Sequence, residues 1–286
     1  MNGSGTAAGL GLLSASTWGG SDFVGGVGAR RAPAILVVAS GHIVSLFLLL
    51  VLCRGMGIAI PASSFLFYSA LGGFEGSLAL AVFYRALAMG AMGLTAALTG
   101  LLTALVPVVF SLVHDGLPTP LTAVGLALGL AAIWLITRTS SPKRTGTAAP
   151  STPPAALLLG ALAGIGFGSQ LILFKMASGG GILWAMTSAR AAGVVALILV
   201  IAVRPPQAPW RGFWLTGILA GTLDTLGNLF YIQATRFGRL DVAAVVCSLY
   251  PGGTILLAAI VLRERPTRRQ LAGIAVALAA VALLSL

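Results

Sequence analysis

The segments DGLPTPLTAVG (115–125) and RERPTRRQLAG (263–273) stand 148 residues apart, and Pro118, Thr119 and Gly125 fall on Pro266, Thr267 and Gly273. The same shift carries Gly73, Ala86 and Gly90 onto Gly221, Ala234 and Gly238. It also carries Ser40 onto Ser188 and His42 onto Arg190, and brings Glu75 to within one residue of Asp224. One identity means little in a chain so rich in Ala, Gly and Leu. A constant offset across helix, loop and helix reads as an internal duplication. Between the copies, RTSSPKRTGTAAPSTPP (138–154) has the composition of a linker. The expected layout is a first repeat over 1–137, the linker over 138–154 and a second repeat over 155–286.

Of the 286 residues, 58% are hydrophobic and 8% charged, whereas a soluble domain carries about 25% charged residues. Apolar runs of about 20 residues, long enough to cross a bilayer, recur throughout. Ten candidate spans follow, at about 6–27, 34–53, 64–88, 92–113, 119–137, 155–177, 182–203, 212–235, 241–262 and 267–286. The expected fold class is an all-α polytopic membrane protein. Its ten transmembrane helices form two five-helix repeats. Because five is odd, the second copy enters the membrane inverted, the arrangement of many secondary transporters.

The net charge of +11 does not point to nucleic acid, because Arg and Lys sit singly or in small groups between apolar runs. Twelve of them fall on one side of the expected membrane. Four (Arg54, Lys175, Arg236 and Arg239) fall on the other, and Arg190 lies within a span. The rich side is expected to be cytoplasmic, which puts both termini outside. The N-terminus has no cationic region and is expected to lead into the first span rather than a cleaved signal. Cys53 and Cys247 lie in apolar segments without metal-ligand spacing and read as small buried hydrophobes. With no metal cluster, phosphate loop or nucleophile–base motif, neither an enzyme nor an ATP-driven pump is expected, and no cofactor is implied.

The stretch YIQATRFGRLDVAAVVCSLYPGGTILLAAIVLRERPTRRQLAGIAVALAAVALL (231–284) resembles the EamA repeat of the drug/metabolite transporter superfamily. The resemblance is carried by Ala234 and Gly238 at a helix end, Pro251 within a helix, Glu264 in a short loop, and Pro266, Thr267 and Gly273 entering the last helix. The first half resembles it more loosely, with Asp115 near the glutamate position and Pro107 displaced from the place of Pro251. WGGSDFVGG (18–26) is similar to the first span of many members. The resemblance implies a basket of ten helices around a cavity lined mainly by spans 1, 3, 4, 6, 8 and 9, with spans 5 and 10 peripheral. It implies transport of substrates ranging from amino acids and other metabolites to drugs. Family members commonly have cytoplasmic termini; here the Lys/Arg count sets the opposite expectation.

A charge inside a span costs about 3 kcal/mol on insertion scales and so faces the bundle or water. Glu75 and Asp224, in spans 3 and 8, are expected to share a cavity and bind protons or a cationic group; otherwise they are structural contacts. Asp22 lies among glycines that permit close packing or unwinding, and equally reads as an interfacial cap. Arg190 cannot shed its charge. It either pairs with Glu75 or Asp224 or captures a substrate carboxylate. His42 either packs as a neutral ring or titrates. Gln170 and Asn228 are amides at cavity depth. Trp18, Tyr84 and Tyr231 are candidate cavity walls or interface aromatics, and Pro251 bends or loosens its helix. Lys175 is expected to snorkel to the interface, and Glu264 to form a loop salt bridge.

The expectation is an alternating-access secondary transporter, proton-linked or facilitative. It would export a small metabolite such as an amino acid, or a drug-like cation, across a bacterial-type plasma (inner) membrane. Its partners are the small-molecule substrate and membrane lipid, as a monomer or homodimer. The alternatives are an uncoupled facilitator, a lipid flippase, and a non-transporting scaffold or receptor subunit.

Overall fold

A computed structural model describes residues 3–29, 31–89, 92–137, 153–206, 212–261 and 267–284. Gly90, Glu264, Pro266 and nearly all of the linker lie outside them, as do Arg30, Arg138, Lys143, Arg144, Arg211, Arg263 and Arg265 from the charge count. The described secondary structure is helical. In chain order it comprises α1 (Gly3–Ala29), α2 (Ala34–Gly55), α3 (Ser63–Met89), α4 (Met92–His114), α5 (Pro120–Thr137) and α6 (Pro154–Ala177). After a short 3-10 turn follow α7 (Ile182–Val203), α8 (Trp214–Phe237), α9 (Leu240–Cys247), α10 (Tyr250–Val261) and α11 (Arg268–Leu284).

Among the described residues, Ala34–Gly55, Ser63–Ala86, Pro154–Gly180 and Ile182–Val203 have the length and composition to cross a membrane, and shorter apolar helices accompany them. Their outer faces present Phe47, Leu162, Val195, Ile198 and Leu199, each about half exposed or more. Such exposed apolar surface fits a lipid surround rather than water. The protein is a multi-pass membrane protein.

The span expected at 241–262 divides into α9 and α10 at Ser248–Leu249. Pro251 explains the break: it has no N–H to return to the Cys247 carbonyl, and its ring clashes with that carbonyl. The Ser248 amide instead ends α9 on the Ala244 carbonyl (2.9 Å), and Gly252 starts α10 on that of Leu249 (2.9 Å). Pro251 thus occupies the first turn of α10, where proline is tolerated.

Packing follows the small residues. α1 lies along α8, and α6 along α3; α2 packs on α8, and α7 on α3; α5 pairs with α11. At the α2–α8 crossing Gly41 meets the backbone of Gly217 and Gly221, so that a side chain on Gly221 would strike Gly41. At the α3–α7 crossing Gly73 meets the Ala189 backbone in the same way. Hydroxyls on one helix reach carbonyls on the next: Ser14 Oγ to Gly227 O (2.8 Å), Ser21 Oγ to Ala220 O (2.9 Å), and Thr99 Oγ1 to Gly160 O (2.8 Å). Each such bond contributes about 0.6 kcal/mol in a bilayer.

Positions related by the 148-residue shift make matching contacts. Gly41 and Ala189 are such a pair, as are Gly73 and Gly221. Ser77 donates to Gly73 O (2.6 Å) and its mate Thr225 to Gly221 O (2.7 Å). Helix directions alternate accordingly. α1 begins with Gly3 beside the Phe237 carbonyl at the end of α8, whereas α6 finishes there, with Lys175 Nζ donating to Thr235 O. α7 starts where α2 stops, with Trp184 Nε1 donating to Ile58 O (2.9 Å). The last residue of α11, Leu284, packs on Gly125 near the start of α5.

Candidate functional site

A cavity at the centre of the bundle is lined from α1 by Trp18 and Asp22, from α2 by His42, from α7 by Arg190, and from α8 by Asp224 and Asn228. α6 adds Gln170, Phe167 and Leu171; α3 adds Gly76, Leu80 and Phe83; α4 adds Thr103 and α10 adds Tyr250. The elements that reach it are the ones the resemblance implied, together with α2 and α7.

Arg190, 3% exposed, organises one wall. Its Nη2 donates to Asp224 Oδ2, Nε donates to Thr225 Oγ1 (3.2 Å), and Nη1 lies 2.8 Å from His42 Nε2. A guanidinium only donates, so His42 Nε2 accepts and the ring is neutral with its proton on Nδ1. Asn228 Nδ2 completes the group, donating to Asp224 O (2.8 Å) and Asp224 Oδ2 (3.2 Å). Arg190 therefore pairs with Asp224, one of its two expected carboxylates, and with its own repeat mate, His42. Positive and negative charge balance within this cluster.

Asp22 stands apart from it. Its side chain is part-buried and lines the cavity. Among the described residues no ion pair reaches it. Trp18, one helical turn earlier, lies on the same face of α1. Tyr250 meets Trp18 edge-on with ring centroids 6.4 Å apart. From α3 and α6, Phe83 and Phe167 meet edge-on at 5.9 Å and line the same cavity. The cavity volume is about 60 Å³, room for a few waters, so a larger ligand enters only when helices separate.

Three expected residues lie elsewhere. Glu75 does not share the cavity with Asp224. It faces a separate groove between α3 and α6, beside Leu71, Phe74, Leu162 and Ile165, and accepts a hydrogen bond from Ser169 Oγ. The reason is helical geometry: the mate of Asp224 at a shift of 148 is Gly76, and Glu75, one residue earlier, points about 100° away. Tyr231 is fully buried and ties α8 to α6 through a 2.8 Å bond from its hydroxyl to Leu171 O. Tyr84 is buried against Gly25 of α1. Pro251 adjoins the cavity only through its neighbour Tyr250. Lys175 does not snorkel outward but binds a carbonyl in the last turn of α8.

The sequence did not single out Tyr250, Phe83, Leu80 or Thr103. The repeat offered a signal for two of them, since Phe83 is the mate of Tyr231 and Leu80 of Asn228. Tyr250 adjoins the helix-breaking proline. Thr103 carries no sequence signal beyond its place in span 4.

A charged, aromatic-walled cavity thus lies within a polytopic helical bundle. Residues 154–286, just under half of the chain, match the EamA-like transporter family, which supports a membrane transporter of the drug/metabolite transporter kind. Among solved structures, one crystal structure titled only as that of a protein superposes with a TM-score of 0.76 at 17% identity, covering 98% of both chains. That likeness bears on the fold alone. No curated protein matches the sequence.

Proposed function

We propose that the chain is a secondary active transporter built from ten transmembrane helices as two inverted five-helix repeats, which rock about the central cavity in alternating access. Matching contacts at a shift of 148 support the repeat, and the opposed directions of α1 and α6, and of α2 and α7, support the inversion. In this reading α9 and α10 are one broken span. The contact between His42 and Arg190 then lies on the pseudo-two-fold axis, where a residue meets its own mate.

The observation that carries the reading is the cavity itself, with Asp22 open to it. A scaffold would pair off its intramembrane charges and close the space between its helices. The transporter exports a small metabolite, such as an amino acid, or a drug-like cation, with proton movement as the driving force. It works in the plasma (inner) membrane of a bacterial-type cell. Both termini are extracytoplasmic, at the end of the bundle that holds Arg54, Lys175, Arg236 and Arg239. Ten spans suffice for a complete route in one chain.

The test is flux in proteoliposomes carrying an internal pH dye, with amino acids, other metabolites and organic cations added across an imposed pH gradient. A substrate-dependent pH change supports a coupled transporter. Substrate movement without a pH change makes it a facilitator, and no movement of any class refutes the transport reading.

A further inference from the structure

The cavity is lopsided. Its charged groups lie on α1, α7 and α8, while the mates of Asp224 and Asn228 on α3 are Gly76 and Leu80, and the mate of Asp22 on α6 is the neutral Gln170. Arg190 has a partner on each of its three nitrogens: Asp224, His42 and Thr225. It has no free fork for a substrate carboxylate. Among the described residues Asp22 is the cavity acid left without a counter-charge, and a carboxylate at this depth is costly until a cation or proton supplies one.

Its surroundings select the kind of cation. A metal ion wants several oxygen, nitrogen or sulfur ligands, and no group of three or more His, Cys, Asp or Glu side chains is assembled among the described residues. What flanks Asp22 is aromatic. Trp18 lies one turn away, and Tyr250, which meets Trp18 edge-on, lines the same cavity. Aromatic faces beside a carboxylate suit an alkylated ammonium, which needs few hydrogen bonds and gains from cation–π attraction. The apolar lining of Phe83, Phe167 and Leu80 suits an apolar body.

We propose that Asp22, with Trp18 and Tyr250, binds the ammonium group of an organic cation whose apolar portion lies against Phe83 and Phe167. This takes the central cavity to be the transport site, as the proposed function does, and narrows the substrate to amphiphilic amines.

The test is calorimetric binding to the purified full-length protein in detergent, which does not depend on transport. The probes are benzyltrimethylammonium, its neutral isostere neopentylbenzene, and phenylacetate as an anionic control. Wild type is expected to bind the cation at least about tenfold more tightly than either control, and Asp22→Asn to lose at least about tenfold of that affinity. Asp22→Glu should recover part of it, and Trp18→Leu should weaken the cation more than the neutral isostere. Equal binding of cation and isostere by wild type overturns the proposal without any variant, and so does tighter binding of phenylacetate. A monodisperse Asp22→Asn that binds like wild type also overturns it. Flux in proteoliposomes separates the two readings. Flux of some other solute without cation binding removes this site and leaves the transporter. Cation binding without flux of any solute keeps the site and removes the transporter.

Discussion

Replacing Asp224 with Asn removes the counter-charge of a guanidinium that is 3% exposed. Breaking a buried ion pair from one side costs about 3–5 kcal/mol, most of it the burden of the charge left behind. Two features hold the loss to the lower figure. Arg190 keeps Thr225 Oγ1 at 3.2 Å and His42 Nε2 at 2.8 Å. The Asp224 side chain is 19% exposed to the cavity, so water can enter. A loss of about 3 kcal/mol lowers the melting temperature of a domain this size by roughly 5–10 °C. Arg190→Gln should cost less, because the remaining carboxylate is partly hydrated and still accepts from Asn228 (3.2 Å). The double variant should lie within about 1 kcal/mol of Arg190→Gln, since both charges are then gone. The assay is thermal unfolding of all four proteins in one detergent, with monodispersity as the control. Additive losses in the double variant, or an Asp224→Asn protein as stable as wild type, would refute the buried pair.

Other outcomes follow from the packing and from the turn between α8 and α9. Gly221→Val should abolish folded protein, because its Cβ would meet the Gly41 backbone, while Gly9→Ala, with nothing within 4 Å, should be neutral; yields in detergent compare them. Arg239→Ala should cost about 2–3 kcal/mol, measured by melting, because Asp241 is fully buried and accepts from Arg239 at 3.0 Å. Hydrogen bonds from Arg239 to Asp241 hold that guanidinium above even its usual value, so the pair should survive rising pH. Native Cys53 and Cys247, both buried, should resist a maleimide until the protein is unfolded.

Much of the fold was legible because each apolar run must close its own hydrogen bonds in lipid, so length and composition alone mark a helix. Helix ends fell within a few residues of the expected ones. Pro251 announced a disturbance in span 9, though not that it would part the helix in two. The site was legible where the repeat could be read residue by residue, and His42 on Arg190 became a contact. It misled where an approximate match was read as an equivalence. Glu75 lies one residue from the mate of Asp224, and one residue turns a helix by about 100°, enough to carry a carboxyl from the central cavity to an outer groove. The choice between Glu75 and Asp224 as the partner of Arg190 lay beyond the sequence for the same reason. Buried tyrosines could not be told from lining ones, since Tyr231 and Tyr250 both lie in apolar spans and only the packing puts one on the cavity.

Alternating access is tested most directly by a single cysteine at Leu80, a cavity-lining position, in a chain whose Cys53 and Cys247 are replaced by Ser. A membrane-impermeant thiol reagent would be applied to intact cells and, separately, to inverted membrane vesicles. Modification from both sides is expected, because rocking of the two halves opens the same cavity to each face in turn. Modification from neither side, or from one side only under every substrate and pH condition, would contradict it.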